Sequence, residues 1–149
     1  MRWTPDSLRR AAIHYSLSCF ATESTLRATE FAWFLGISAV SLSRMFRDLL
    51  GITPSAFFIA MQSRYAALLL ARKGLTTAQV AYRAGFGSRR NLFRVFRREY
   101  DETPSRVAEK VRKGSNVNAV VGPFPADAHA IWSSNSQMAG ELIQASSSL

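Results

Sequence analysis

The chain has 149 residues, 48% of them hydrophobic, enough to bury a core in one domain or two small ones. Its 19 basic residues outnumber 10 acidic ones, and all but Lys73, Lys110 and Lys113 are arginine, whose fork suits phosphates and guanine edges. A membrane surface would also draw this charge, but no helix pairs a basic face with a spare apolar one, and no run reaches the ~18 apolar residues of a span.

Pro5-Asp6 opens a first helix to about Cys19, with Leu8, Ala11, Ala12, Tyr15 and Cys19 as its apolar stripe. Cys19 is the only cysteine, so no disulfide forms within the chain, and on this apolar stretch it reads as packing. After the polar break from Ala21 to Thr25, Thr25 or Thr29 caps a second helix to about Leu35. Its expected buried residues are Phe31, Phe34 and Leu35, with Trp33 partly exposed. Gly36 then makes a tight turn, and Ser38 caps a helix from Ala39 to Leu50. Leu42, Met45, Phe46 and Leu49 point inward there, while Val40, Ser43, Arg44 and Arg47 point outward. Gly51 ends it, and Thr53-Pro54 starts a long helix to about Lys73, stopped by Gly74. At about 1.5 Å per residue this helix spans roughly 30 Å, close to the ~34 Å repeat of B-DNA.

The pattern then returns. Ala32 and Gly36 match Ala81 and Gly85 at an offset of 49, and Leu42, Arg44, Phe46, Arg47, Thr53 and Pro54 match Leu92, Arg94, Phe96, Arg97, Thr103 and Pro104 at an offset of 50. The second copy therefore carries one extra residue in its turn. Leu92, Val95, Phe96 and Tyr100 form its inward stripe, and Arg89, Arg90, Phe93, Arg94 and Arg97 fall off it. A solvated face has no reason to repeat its arginines in register with its core, so two related units imply two related surfaces. Thr103-Pro104 starts a last helix to about Arg112. Residues 1–112 carry 18 basic and 8 acidic side chains, whereas 113–149 carry only Lys113, Asp127 and Glu141 and are rich in Gly, Ser, Asn and Pro. The tail 113–149 reads as low-complexity and mostly disordered.

These residues resemble the DNA-binding domain of the AraC/XylS family of bacterial transcription regulators. The resemblance covers about residues 6–112 and is most specific at Gly85-Phe86, Leu92, Arg94, Phe96, Arg97 and Thr103-Pro104. It implies an all-α, homeodomain-like fold of about seven helices: a first helix-turn-helix over about 28–50, a linker helix over about 54–73 and a second helix-turn-helix over about 77–100. The sequence departs from the family pattern at Gln62 and Ala108, where Arg is common, at Thr77 (Ile), Arg90 (Ser) and Asp101 (Gly).

By resemblance the chain is expected to be a cytoplasmic, stand-alone regulator. It would bind double-stranded DNA as a monomer, act as an activator, touch RNA polymerase and need no cofactor. The family positions map base reading to Val40, Ser43 and Arg44 in the first unit and to Arg89, Arg90, Phe93 and Arg94 in the second, with Arg47 and Arg97 beside them. The rival readings are a protein-interaction module without its own DNA target, and the remnant of a truncated regulator. An enzyme is disfavoured: His14 and His129 fit no metal spacing, no glycine-rich phosphate loop occurs, and one cysteine cannot build a zinc site.

Overall fold

The computed structural model describes residues 2–72 and 74–114. Among these are seven helices and no strand: α1 (Pro5–Thr22), α2 (Ala28–Phe34), α3 (Ala39–Leu50), α4 (Pro54–Leu70), α5 (Thr77–Arg83), α6 (Arg89–Tyr100) and α7 (Pro104–Arg112). None of them is long and apolar enough to cross a membrane. The expected tail beyond Gly114 lies outside the described residues.

The repeat in sequence is a repeat in structure. α2 and α5 are each seven residues, α3 and α6 twelve, at the two offsets read from the sequence. The local rules set the starts. Ser38, Thr53, Ser88 and Thr103 each accept a backbone N–H three residues on, and proline fills the first helical position of α4 and α7. The ends of α3 and α6 differ in chemistry. Gly51 takes the left-handed conformation after α3, and Asp101 takes it after α6, at φ 52°. An L-residue costs roughly 1–2 kcal/mol in that region, partly offset by glycine's greater chain entropy. Asp101→Gly is therefore expected to raise stability by about 0.5 kcal/mol, a gain of ~2–4 °C in a thermal melt. An unchanged or lower melting temperature would show that the Asp side chain compensates the strain.

α4 is the centre of the molecule. All ten residues from Met61 to Leu70 are buried, so this helix is covered on every side rather than along one stripe. Its first half closes an aromatic core with Tyr15, Phe31 and Phe46 around Phe57 and Phe58, at centroid separations from 5.1 to 6.4 Å. α5 and α7 pack against the same helix, and Phe86, Phe96 and Tyr100 stack edge to face in the second unit. One helix thus supplies core to both units.

Three local expectations are corrected, each by a tertiary contact or by geometry. Neither Thr25 nor Thr29 caps α2: its N-cap is Arg27, with no side-chain cap. The Tyr15 hydroxyl of α1 instead pins the N-cap residue's own backbone, accepting from the Arg27 N–H at 3.2 Å and donating to its carbonyl at 3.1 Å. Burial pushes the Tyr15 pKa up, which keeps the hydroxyl protonated and able to donate. Phe34 is 61% exposed, not buried. At about 100° per residue the inward arc runs from Phe31 through Leu35 to Ala32, and Phe34 falls ~60° outside it. Finally, α4 ends at Leu70 rather than Lys73, so it spans about 26 Å rather than 30 Å. Arg112 of α7 reaches back and donates from Nη2 to the Leu70 carbonyl at 2.9 Å, closing the helix from outside. Cys19 is buried, and burial raises its thiol pKa, so it packs as an inert side chain.

Candidate nucleic-acid interface

α3 and α6 carry the candidate residues, and each helix buries only its inner stripe. Leu42 and Phe46 face the core from α3, as Leu92, Val95 and Phe96 do from α6. The opposite faces hold the expected set. Val40, Ser43, Arg44 and Arg47 are exposed on α3; Arg89, Arg90, Arg94 and Arg97 are exposed on α6, and Phe93 is half-buried. The offset that relates the units superposes Arg44 on Arg94 and Arg47 on Arg97 as the same outward positions.

The α6 arginines are not equivalent. Arg89 donates from Nε to the Thr77 hydroxyl at 2.9 Å and lies over the Phe93 ring at 4.6 Å. Its guanidinium is braced across the mouth of α5. Thr77, one of the departures from the family pattern, is thus a hydrogen-bond partner that an isoleucine cannot be. Arg94 donates from Nη2 to Asn91 Oδ1 at 2.7 Å, and Asn91 Nδ2 donates to the Phe86 carbonyl at 2.9 Å. That chain ties Arg94 to the turn and holds its guanidinium in place, with most of its five donors still free. Asn91 was missed in the sequence, although its place three residues before Arg94 is the spacing at which helical side chains meet.

The turn before α6 is the joint of the molecule. The extra residue of the second unit is Gly87, at φ 80°. The Gly85 carbonyl accepts two hydrogen bonds: from the Leu26 N–H at 3.0 Å and from Gln62 Nε2 at 2.9 Å. Leu26 belongs to the segment that leads into α2, and Gln62 is buried in α4. One carbonyl therefore fastens the entry segment of the first unit and the shared central helix to the turn of the second. Gln62, the second departure, is the donor on the α4 side.

Beside this joint lies an open cleft of about 640 Å³. Its walls are Thr25, Leu26 and Arg27 on one side and the turn and first residues of α6 on the other, including Arg90 and Arg94. In the sequence Thr25 reads only as a helix cap and Arg27 carries no signal, because nothing local says that they face the second unit. No group of three or more His, Cys, Asp or Glu among the described residues is placed to hold a metal ion.

The comparisons with known proteins agree with this geometry. A family described as a helix-turn-helix domain matches residues 31–110, from α2 into α7. The RCS-specific HTH-type transcriptional activator RclR of Escherichia coli (strain K12) is 31% identical over 77 residues, 52% of this chain and 27% of that protein. Histidine kinase P4 of Formosa agariphila is 29% identical over 75 residues, 50% of this chain and 6% of that protein. The chain thus spans about a quarter of the first relative and far less of the second. No solved structure matches. With two helix-turn-helix units on one central helix, and a family match over more than half of its length, the chain belongs to the AraC-type helix-turn-helix family of DNA-binding transcription regulators.

Proposed function

We propose that the protein is a sequence-specific regulator that places α3 and α6 in successive major-groove segments on one face of B-DNA, acting as a monomer and as an activator in the cytoplasm. The observation that carries this is the repeat itself: two capped helices of equal length, with buried inner stripes and arginines at equivalent outward positions, hung on one buried helix. Base reading falls to Val40, Ser43 and Arg44 in the first unit and to Phe93 and Arg94 in the second. Val40 and Phe93 suit a thymine methyl, and the arginines suit guanine. Arg89, braced by Thr77, stands with Arg47 and Arg97 as a backbone contact that fixes position. The activator sign has its support in the name of one relative, and an activator implies a contact with RNA polymerase.

A salt titration tests the DNA reading. Residues 1–112 carry 18 basic against 8 acidic side chains. If 6–8 phosphates are neutralised, log K falls against log salt with a slope of about −5 to −7, a thousandfold loss or more between 50 and 200 mM. A flat titration on duplexes selected from genomic DNA would reject the reading and favour a protein-interaction module.

A further inference from the structure

The cleft beside the Gly85 joint is built from both units, and its chemistry is one-sided. Arg27 comes from the segment entering the first helix-turn-helix, Arg90 and Arg94 come from the second recognition helix, and no carboxylate among the described residues lines the space. Arg94 is held by Asn91. Arg27 has its backbone locked on both sides by the Tyr15 hydroxyl while its guanidinium stays exposed. Arg90 is exposed and carries no side-chain hydrogen bond or ion pair among the described residues. Like charges that share a cleft without a counter-charge raise the energy of the free protein, and an anion between them removes that cost.

The two walls are also fixed relative to each other. The Leu26 N–H to Gly85 carbonyl bond ties the segment of one wall to the turn that carries the other. At Gly87 an added Cβ would lie 3.1 Å from the Thr25 hydroxyl oxygen, so the inserted glycine lets the turn of α6 close against the first unit. The first turn, Gly36-Ile37-Ser38, has no counterpart of Gly87. The residue that distinguishes the two repeats therefore lies in the wall of a cleft lined from both units.

We infer that this cleft holds a phosphodiester of the DNA backbone between the two groove segments, shared by Arg27 of the first unit and Arg90 of the second. The inference rests on the DNA-binding reading above. It moves Arg90 from base reader to backbone clamp, and it adds Arg27, which lies on neither recognition helix. A clamp drawn from both units locks their spacing onto the DNA at the point where the backbone passes between them.

The test uses the full chain, a selected duplex and a random duplex of equal length, and binding across a range of salt. Arg27→Ala and Arg90→Ala are each expected to weaken both duplexes several-fold by the same factor, with unchanged thermal melts. The double variant should lose little more than either single one, and its salt slope should fall in magnitude by about 1, the value for one phosphate. Arg90→Lys should keep most of the affinity, since a phosphate accepts a point charge and a guanine edge does not. A loss at Arg90→Ala confined to the selected duplex would make Arg90 a base reader and overturn the clamp. No change at Arg27→Ala would overturn it as well, as would additive losses with the slope falling by about 2. Stabilisation by inorganic phosphate at constant ionic strength, abolished by Arg27→Ala while DNA affinity is untouched, would assign the cleft to a free anion instead. Wild-type protein that binds neither duplex would bring down the DNA reading first, and the cleft assignment with it.

Discussion

A Gly85→Val chain is expected to melt at least 12 °C below the wild type, a loss of about 3–4 kcal/mol. Two costs combine at this position. Gly85 sits at φ 76°, where a β-branched residue is a steric outlier, at roughly 1–2 kcal/mol or more. The added Cβ also meets Leu26 Cβ at 3.1 Å, the Ser24 carbonyl at 3.2 Å and the Leu26 N at 3.3 Å. Two of those three atoms are backbone, so relief means moving the entry segment and stretching the Leu26 N–H to Gly85 carbonyl bond, an overpacking cost of ~1–3 kcal/mol. Gly36 is the built-in control. It occupies the same turn of the first unit at φ 72°, but an added Cβ there meets nothing within 4 Å. Gly36→Val should therefore show the backbone strain alone, about 1–2 kcal/mol. Equal melting temperatures for the two variants would mean that the close approach at Gly85 contributes nothing, and that the joint is looser than its geometry.

The contrast between those glycines also marks what the sequence makes legible. The turn, its caps and the inward stripes follow local rules, so they can be read from a stretch of a dozen residues. Ser38, Thr53 and Thr103 announce helix starts by type and position, and the 50-residue offset by itself links Phe46 to Phe96. What joins the units is not local. Tyr15 pins the backbone at the start of α2 from 12 residues away, Gln62 reaches Gly85 across 23, and Arg112 closes α4 from 42 residues on. Each of these looks unremarkable in sequence, and Gln62 and Thr77 look like losses because a common residue is missing. In the structure both are hydrogen-bond donors or acceptors at the second unit. The outward faces of α3 and α6 were legible because they are the complement of the core stripe. The cleft was not, because half of its wall belongs to the other unit.

Arg94→Ala is expected to cost about 1–3 kcal/mol on the selected site and much less on random DNA. Its guanidinium is pre-positioned by Asn91, which is itself anchored to the Phe86 carbonyl, so little side-chain entropy is lost on meeting a guanine. Arg44 stands at the matching place on α3, exposed and two residues beyond the buried Leu42. Arg44→Ala should relax specificity in the other half of the site by a similar amount, about 1–3 kcal/mol. The two arginine side chains share no hydrogen-bond partner and act on separate groove segments, so the losses should add to ~2–6 kcal/mol, roughly 30- to 20,000-fold. Stability should hardly move, since both side chains are exposed and Asn91 keeps its bond to the turn without Arg94. Arg94→Lys should fail to restore the selected site, because a single ammonium cannot make the paired contact to a guanine edge. Each variant is measured on selected and random duplexes beside a thermal melt. Equal weakening of both duplexes by Arg94→Ala would make it a phosphate contact and leave α6 without its main reader. Unfolding would mean that the outward face of α6 is wrongly assigned. A double variant no worse than either single one would mean that the two helices do not engage the DNA together, and that the two-groove arrangement is wrong.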